Sequence, residues 1–186
     1  MRILACADLH GRPDRIARVR ALVTEHTPDV LVLPGDLTHA GSGEEALTLL
    51  HTLPVPVLAI PGNMDTPAAT GVMRRHGALL VGPPRVIAGI TFGGPDVASS
   101  CDVLVVHEPP VGILDTVRPG KHIGSTAVHD QILRLRPRVV TCGHVHESPG
   151  IAHLEGTLVI NCTMGDGKTA GALIDLSPAD ATARLL

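Results

Sequence analysis

Aromatic residues are almost absent from this sequence, since its 186 residues include one Phe and neither Trp nor Tyr. Proteins that bind single-stranded nucleic acid stack its bases on aromatic side chains, and such a platform is essentially unavailable here. The formal net charge is −3, which gives no electrostatic attraction towards nucleic acid or an anionic membrane surface. The composition therefore carries no signature of nucleic-acid or membrane binding.

Cysteine is also scarce and shows no metal-ligand spacing. The four residues, Cys6, Cys101, Cys142 and Cys162, form no C-x-x-C pair. Two of them, Cys6 and Cys142, lie in apolar strand-like runs, which favours buried free thiols over ligands or disulfides. No apolar run is long enough to span a bilayer, and Met1 leads into a strand without a signal-peptide-like segment. We therefore expect a cytoplasmic protein.

The chain has the composition of an ordinary globular protein. Hydrophobic residues make up 44% of the sequence and charged residues 18%, a balance that is typical of a domain with a buried core. A length of 186 residues suffices for one such core. We expect a single domain over residues 1–186.

Apolar runs alternate with helix-capping signals along the first half of the chain. Strands are predicted at residues 3–7, 30–33, 55–60, 79–81, 86–92, 102–106, 139–142, 157–160 and 172–176. Helices are predicted to begin at Pro13, at Ser42 with Glu45 as its capping-box partner, at Thr66-Pro67 and at Ser125. The initial order βαβαβα predicts parallel strands joined by crossover helices. A long Pro- and Gly-rich segment follows His107 and reaches Gly124, and a loop of this length is typical of a functional segment.

Polar side chains directly follow five of the predicted strands. They are Asp8 with His10, Asp36, Asn63, His107, and His144 with His146. In an open α/β sheet the ligand site lies outside the carboxyl ends of the strands. Imidazole, carboxylate and amide groups without cysteine suit divalent ions such as Mn, Fe, Co, Ni or Zn. No single one of these residues predicts a metal site, but the recurrence of such side chains at five strand ends does.

The spacing within two pairs of these residues adds a geometric expectation. If the backbone stays extended, Asp8 and His10 project from the same face, and so do His144 and His146. Residues two apart on a strand are separated by about 6.5 Å, which lets one His reach each of two ions about 3.5–4 Å apart. Glycine precedes three of the candidate ligands, at Gly35, Gly62 and Gly143. A missing side chain at these positions permits a sharp turn and a close approach of the backbone.

In their order along the chain, these motifs resemble the motif set of calcineurin-like metallophosphoesterases. The matching motifs are Asp8-x-His10, Gly35-Asp36, Gly62-Asn63-x-Asp65, His107 and Gly143-His144-x-His146. The loop Gly120–Ser125 and the variant Gly62-Asn63-Met64-Asp65 are similar to those of the Icc-related predicted phosphoesterases. The resemblance implies an α/β fold, a four-layer αββα sandwich of two mixed β-sheets flanked by helices.

The resemblance also implies two divalent metal ions, with Mn favoured, bridged by a carboxylate and a hydroxide. By position, Asp8, His10, Asp36 and His146 would hold the first ion, and Asp36 (bridging), Asn63, His107 and His144 the second. The bridging hydroxide would attack the phosphorus of a small phosphorylated substrate while the ions neutralise the developing charge. The implied activity is that of a metal-dependent phosphoric ester hydrolase.

The sequence departs from the family pattern at Met64. Most of the family has His after the Asn, as a general acid or a stabiliser of the leaving oxygen, and Met has no proton to give. The departure favours a phosphodiester over a monoester as substrate, because family members with another residue here include phosphodiesterases. His122 and His39 are the candidate substitutes for the acid, and Lys121 is a candidate phosphate contact.

Two alternatives stay open beside a phosphoesterase. The first is a catalytically weak or inactive scaffold that keeps the fold for protein contacts, as a retromer subunit of similar fold does. The seven convergent polar groups argue against it, because a scaffold has no physical need for them. The second is a different metallohydrolase fold, which is disfavoured because the metallo-β-lactamase pattern H-x-H-x-D-H is missing. The oligomeric state stays open as well.

Overall fold

The computed structural model of this chain describes residues 1–186, which form thirteen strands and four helices. The strands are β1 (Arg2–Ala5), β2 (Val30–Pro34), β3 (Val57–Ile60), β4 (Arg85–Ile87), β5 (Ile90–Gly93), β6 (Val103–Val105), β7 (Thr116–Arg118), β8 (Lys121–His122), β9 (Val139–Cys142), β10 (Gly150–Leu154), β11 (Thr157–Asn161), β12 (Ala172–Leu176) and β13 (Ala181–Leu185). The helices are α1 (Pro13–His26), α2 (Leu49–Thr52), α3 (Pro67–Arg75) and α4 (Thr126–Leu135), and a 3-10 helix at Glu44–Thr48 precedes α2.

The strands form two large mixed sheets and one small hairpin. The first sheet has the order β13-β12-β1-β2-β3, in which β1, β2 and β3 are parallel, β12 is antiparallel to β1, and β13 is antiparallel to β12. The second has the order β10-β11-β9-β6-β5-β4, and its four middle strands are parallel. Strands β7 and β8 pair only with each other. The parallel strands β1, β2 and β3 of the first sheet carry the crossover connections that the initial βαβαβα order predicts.

Alternate residues of the central strands face opposite layers. Ile3 and Ala5 of β1 are buried between the two sheets together with Val103 and Val105 of β6. Leu4, which lies between the first two, packs instead in the cluster that contains α1. This alternation follows from the two-residue period of a strand, and it gives the first sheet a core on each of its faces.

Helices cover the outer face of each sheet. Helix α1 buries Ile16, Val19 and Leu22 on the first sheet. Helix α4 buries Ile132 and Leu135 on the second. The order of layers is helix, sheet, sheet, helix, and the predicted αββα sandwich is confirmed. None of the four helices has the length and apolar character that a membrane crossing requires.

Two of the predicted helix caps form and a third does not. The hydroxyl of Thr66 accepts from the N–H of Ala69, and the hydroxyl of Ser125 accepts from the N–H of Val128. The capping box at Ser42 is wrong: its hydroxyl donates to the carbonyl of His39 at 2.7 Å. Gly43 takes the N-cap position in a left-handed conformation without a side-chain hydrogen bond, and a 3-10 helix and the single turn of α2 follow.

Several strand predictions need correction. Residues 79–81 do not form a strand, because only Leu79 bridges the end of β3. The predicted strand 86–92 is two antiparallel strands, since Ala88 and Gly89 both have positive φ and close a tight hairpin. The Pro/Gly-rich segment contains the hairpin of β7 and β8, and two further strands, β10 and β13, lie at sheet edges. Their short, mixed-polarity sequences carry little of the apolar signal that marks a buried strand.

Candidate functional site

The carboxyl ends of strands from both sheets meet at one edge of the sandwich, where backbone hydrogen bonds tie the loops together. The N–H of Asp8 donates to the carbonyl of Gly35 at 3.1 Å, and the N–H of His10 donates to the carbonyl of Asp36 at 2.9 Å. Each loop after a strand is therefore braced by its neighbour. The seven polar residues predicted from the strand ends all lie in these braced loops.

The expected extended backbone at the two His pairs is wrong. Asp8, His10, Asp36 and His144 have φ between 50° and 68°, in the left-handed region that residues other than Gly enter rarely. The chain turns sharply as soon as each strand ends. The direction of these side chains is therefore set by the turn, and the alternation of side chains along a strand does not apply to them. Strained backbone of this kind persists only where the surroundings over-determine it, and it clusters at functional sites.

Two buried carboxylates stand at the centre of the site. Asp8 has no exposed surface and Asp36 is 2% exposed. Both oxygens of Asp8 accept from the N–H of His144, at 3.0 and 3.2 Å, and Oδ1 of Asp36 accepts from the N–H of Met64 at 2.7 Å. Every ion-pair partner of the two carboxylates within 4.0 Å is an imidazole, and none is Lys or Arg. Two buried negative charges without a fixed cation fit a positively charged ligand.

One group of donors gathers around Asp8. Nε2 of His10 and Nε2 of His146 lie 3.3 Å apart, and Nε2 of His146 lies 3.6 Å from Oδ1 of Asp8. The three donor atoms all lie within 4.8 Å of one another. His10 also approaches Oδ2 of Asp36, at 3.9 Å. These four residues are the ones that the resemblance assigns to the first ion.

A second group gathers around Asn63. Its Oδ1 lies 2.9 Å from Nε2 of His107 and 2.9 Å from Nδ1 of His144. Nε2 of His107 lies 3.5 Å from Oδ2 of Asp36, and a further close group combines Asp8, Asp36 and His107. Because Oδ2 of Asp36 faces His10 on one side and His107 on the other, it stands between the two groups of donors.

The hydrogen bonds of His107 test whether these residues fit a metal ion. Nδ1 of His107 lies 2.9 Å from the carbonyl of Pro34, so this nitrogen donates. In a neutral imidazole Nε2 then carries a lone pair, yet it faces the oxygens of Asn63 and Asp36, which are also acceptors. Three converging acceptors need either an additional proton or a cation between them. The donor set therefore fits a divalent ion.

Burial and the two carboxylates shift the pKa values of the imidazoles in the site. Burial lowers the pKa of His10 and of His144, which favours their neutral, metal-competent form. Burial acts in the same direction on His107, but the hydrogen bond and charge of Asp36 outweigh it and raise its pKa. The hydrogen bond to Asp8 raises the pKa of His146. The two carboxylates thus attract positive charge into the site.

Glycine makes the close packing of these loops possible. A Cβ on Gly35 would lie 2.5 Å from Nδ1 of His107, and a Cβ on Gly143 would lie 2.5 Å from Oδ2 of Asp8. A Cβ on Gly62 would overlap with Asp36. The close approach that these three glycines were expected to permit is confirmed.

Five of the seven candidate donors line an open cleft of about 520 Å³, and the buried Asp8 and His107 lie behind them. Its wall contains His10, Arg12, Arg15, Asp36, His39, Asn63, Met64, His144, His146 and Gly165. Met64 is the single apolar residue of this wall. The cleft combines acidic and imidazole groups at its floor with two guanidinium groups at its side, an arrangement that suits an anionic ligand bound next to a metal ion.

The structure separates the remaining candidates. His39 lines the cleft, with its Nδ1 3.4 Å from Nδ1 of His10. Lys121 and His122 do not line it, because they form β8 in the small hairpin. Nδ1 of His122 lies 2.7 Å from Oδ1 of Asp115, a carboxylate that is 1% exposed. His122 therefore has a local partner, and the structure does not bring it to the candidate metal ligands.

Four further residues shape the site: Asp65, which the sequence already places in the Gly62-Asn63-x-Asp65 motif, and Arg12, Arg15 and Gly165, which sequence reasoning missed. The carboxylate of Asp65 accepts from the N–H groups of Leu37, Thr38 and Gly62 and from the Thr38 hydroxyl, and it thereby joins the Asp36 and Asn63 loops. Gly165 packs on the ring of His146, and Arg12 and Arg15 line the cleft. Arg12 and Arg15 lie at the start of α1, directly after the His10 motif. Their closeness to this motif in the sequence could have indicated that they lie near the site.

Comparison with known proteins points to one family. The sequence model of the family described as calcineurin-like phosphoesterase matches residues 1–148. The uncharacterized protein MJ1162 of Methanocaldococcus jannaschii is 28% identical over 195 aligned residues, which cover 87% of each chain.

Solved structures share the fold. A structure described as a novel archaeal phosphodiesterase superposes with a TM-score of 0.67 at 16% identity, and the match covers 100% of both chains. Vps29 of Entamoeba histolytica, described as complexed with Zn²⁺, superposes with a TM-score of 0.55 at 13% identity, covering 100% of this chain and 98% of its own.

Proposed function

Because this chain belongs to the calcineurin-like phosphoesterase family, we propose that it is a dinuclear metal-dependent phosphoesterase that favours phosphodiesters over monoesters. The observation that carries the proposal is the pair of buried carboxylates, Asp8 and Asp36, whose ion-pair partners within 4.0 Å are all imidazoles. A buried charge pair of this kind costs stability unless a cation compensates it, so its retention is explained by a metal function.

The proposed ligands divide into two sets that share Asp36. Asp8, His10 and His146 would hold one ion, Asn63, His107 and His144 would hold the other, and both sets would share Asp36. Two bound divalent ions supply Lewis-acid chemistry, by activating water for attack on phosphorus and by neutralising charge on the phosphoryl oxygens. We propose Mn²⁺ as the native metal, with Fe, Zn, Co and Ni as the alternatives to be compared.

The protein side chains around the ligands orient the substrate. Arg12 and Arg15 place positive charge at the wall of the cleft, where the oxygens of a phosphate ester would lie. His39 lies beside His10, with 3.4 Å between their Nδ1 atoms, and is not itself a proposed ligand, so it is the candidate for donating a proton to the leaving oxygen. Met64 lines the same wall and contributes only apolar contact.

The preference for phosphodiesters has two supports. The first is Met64, since family members without His at this position include phosphodiesterases. The second is the likeness to the archaeal phosphodiesterase, which is matched over the whole length of both chains. We propose a small phosphorylated molecule as the substrate. Four free, buried thiols are typical of a reducing compartment, which supports a cytoplasmic location.

Hydrolysis of chromogenic esters tests this function directly. The full chain, loaded in turn with Mn²⁺, Fe²⁺, Zn²⁺, Co²⁺ or Ni²⁺, is assayed with bis(4-nitrophenyl) phosphate and with 4-nitrophenyl phosphate. We expect metal-dependent cleavage, faster on the diester, and a loss of at least about 100-fold in kcat/KM for Asp36→Asn. Asp130→Asn is the matched control, because Asp130 lies on α4 with its side chain 73% exposed.

Each outcome bears on a separate part of the proposal. Failure to cleave either ester with any metal, or equal activity of Asp36→Asn and the unchanged protein, contradicts the phosphoesterase function. Faster cleavage of the monoester contradicts only the diester preference. Metal analysis of the purified protein supplies the count: about two ions per chain are expected, and one would contradict the dinuclear site.

A protein-binding scaffold is the second candidate function. It is favoured by Met64, since a scaffold has no use for an acid, and by the likeness of the fold to Vps29. The seven convergent donors count against it. A protein that holds no metal after gentle purification and cleaves no ester would support the scaffold.

A further inference from the structure

A second cavity adjoins the cleft that contains the proposed metal ligands. It has a volume of about 380 Å³ and is lined by the start of α1 and by the loop that follows β11. Arg12 and Arg15 line both spaces, so the two adjoin at these side chains. A ligand held in the cleft that reaches past these side chains would enter the second cavity, which we call the basic cavity.

The charge of the basic cavity is opposite to that of the whole chain. Arg12, Arg15, Arg18 and Lys168 line it together with one carboxylate, that of Asp14. These residues contribute a net charge of +3, whereas the chain carries −3. Asp14 is exposed and pairs with Arg12 at 3.2 Å, and Arg18 lies 3.7 Å from Glu25 on the same helix, which leaves Arg15 and Lys168 without an ion-pair partner within 4.0 Å. Such a local concentration of positive charge selects for an anion with more than one negative charge.

Arg15 is held firmly at the boundary between the two spaces. Its Nη1 donates to the carbonyl of Asp8 at 2.6 Å, and its Nη2 donates to the carbonyl of Gly165 at 3.3 Å. A guanidinium group has five N–H donors, so donors remain for a ligand after these two contacts. Because the side chain is already ordered, binding an anion here costs little conformational entropy.

The other cations approach from two sides. Arg12, Arg15 and Arg18 are spaced by three residues, which places them along one face at the start of α1. Lys168 comes from the opposite loop, where the carboxylate of Asp166 accepts from the N–H groups of Lys168 and Thr169 and fixes the turn. The basic cavity is thus enclosed by cations on an ordered helix and an ordered turn.

We propose that the basic cavity is a subsite for a second phosphate group, so that the preferred substrate is a phosphodiester carrying a further phosphate beyond the bond that is cleaved. This inference rests on the proposed function for the position of the cleaved bond. Several guanidinium groups beside an ammonium group match the multiple oxygens and the double charge of a terminal phosphate. A ligand with a single carboxylate in place of the phosphate would neutralise only one of these positive charges.

A matched pair of dinucleotides tests the subsite. Thymidylyl-thymidine contains one diester, and its 5′-phosphorylated form adds one terminal phosphate to the same diester. We expect kcat/KM to be at least about tenfold higher for the phosphorylated form, since several charge-assisted hydrogen bonds are added. Arg18→Gln and Lys168→Gln, alone and combined, are expected to bring the ratio of the two substrates towards one.

Arg20→Gln is the control on the same helix. The guanidinium of Arg20 donates to the hydroxyls of Thr48 and Thr52, both at 2.8 Å, and it lines neither cavity. This variant is expected to keep the substrate ratio of the unchanged protein. A similar fall in the ratio for all variants would contradict the assignment of the subsite to this cavity.

Calorimetric binding of both dinucleotides to the full-length Asp36→Asn variant separates this inference from the proposed function. Equal hydrolysis of the two dinucleotides contradicts the subsite and leaves the phosphoesterase function in place. Tighter binding of the phosphorylated form without hydrolysis by the unchanged protein supports the subsite and contradicts the function. Equal binding together with absent hydrolysis contradicts both.

Discussion

The backbone N–H of Met64 donates a hydrogen bond of 2.7 Å to Oδ1 of Asp36. One oxygen of this buried carboxylate is therefore satisfied by the protein, and the other, Oδ2, faces His10 and His107. The bond depends on the backbone of Met64 and not on its side chain. Residue 64 can consequently be changed without removing the contact that orients Asp36, and the chemical role of its side chain can be tested separately.

Met64→His is expected to supply the missing acid. Because Met64 lines the cleft, an imidazole at this position can protonate a leaving oxygen, an effect typically worth about 10²–10⁴-fold. We expect a larger rise in kcat/KM for alkyl leaving groups than for nitrophenolate, measured over a series of aryl and alkyl phosphodiesters. Met64→Leu is the control for side-chain bulk. Equal effects on good and poor leaving groups would mean that the acid is supplied elsewhere.

His39→Gln tests whether His39 is that other source. Its ring lines the cleft beside His10, so its removal is expected to lower kcat on alkyl diesters about tenfold or more while changing kcat on nitrophenyl diesters by less than about threefold. His122→Gln is the matched control, because the ring of His122 contacts Asp115 outside the cleft. A loss confined to His122→Gln would reverse the roles that we assign to the two histidines.

Gly62→Ala is expected to weaken the metal site. The added Cβ would overlap with the carboxylate of Asp36 and lie 2.5 Å from its backbone nitrogen, so either the loop or the ligand must move. We expect metal affinity to fall at least about tenfold and the free energy of unfolding to fall by about 1–3 kcal/mol.

The matched control for this substitution is Gly71→Ala in α3. Its Cβ would meet nothing closer than 3.5 Å, from the guanidinium of Arg75. Because Ala is the better helix former, this variant is expected to be as stable as the unchanged protein or up to about 1 kcal/mol more stable. Metal titration and urea unfolding measure both quantities, and full metal affinity in Gly62→Ala would contradict the prediction.

The carboxylate of Asp115 is expected to make stability depend on pH. Burial by itself raises its pKa, but hydrogen bonds from the His122 side chain and from the N–H groups of Gly112 and Gly124 outweigh burial, and the pKa lies below its ordinary value. A lowered folded-state pKa contributes stability that is fully present above the unfolded value of about 3.9 and is lost as pH falls through the folded value.

Asp115→Asn should therefore lower the free energy of unfolding by about 1–3 kcal/mol at pH 7, and the difference should shrink as the pH falls below about 4. Urea unfolding between pH 7 and pH 2.5 measures it. Asp130→Asn, with an exposed side chain, is expected to differ little from the unchanged protein throughout. A difference for Asp115→Asn that stays constant down to pH 2.5 would mean that the carboxylate charge contributes nothing.

Much of the fold was readable in the sequence because the central strands are nearly continuous apolar runs. Strands β2, β3 and β9 are buried along their whole length, and buried parallel strands of this kind carry the strongest sequence signal. The edge strand β13 exposes three of its five residues and half-buries the other two, and strands β7 and β8 of the small hairpin have three and two residues. Such segments become strands because they form hydrogen bonds with a neighbouring strand, and their local sequence does not predict it.

The candidate site was likewise predictable in part from the sequence. Local sequence determined which residues follow the strands, from Asp8 to His146, because each motif lies within a few residues of an apolar run. The tertiary structure decided how they meet: left-handed turns, and not extended strands, aim Asp8, His10 and His144. The tertiary structure also showed that His39 lines the cleft and that His122 does not. Spacing along the sequence could not predict this difference, because the distance of each histidine from the candidate ligands depends on how the loops fold.

The stretch Asn63-Met64-Asp65 shows both contributions. The sequence by itself determined that an amide and a carboxylate follow a buried strand and that a thioether stands where the family has an imidazole. Only the tertiary structure decided that Asp65 accepts hydrogen bonds from the neighbouring Asp36 loop and that Arg15 joins the cleft to a basic cavity. The physical reason is that these contacts join residues far apart in the chain, and only the packing of the two sheets brings them together.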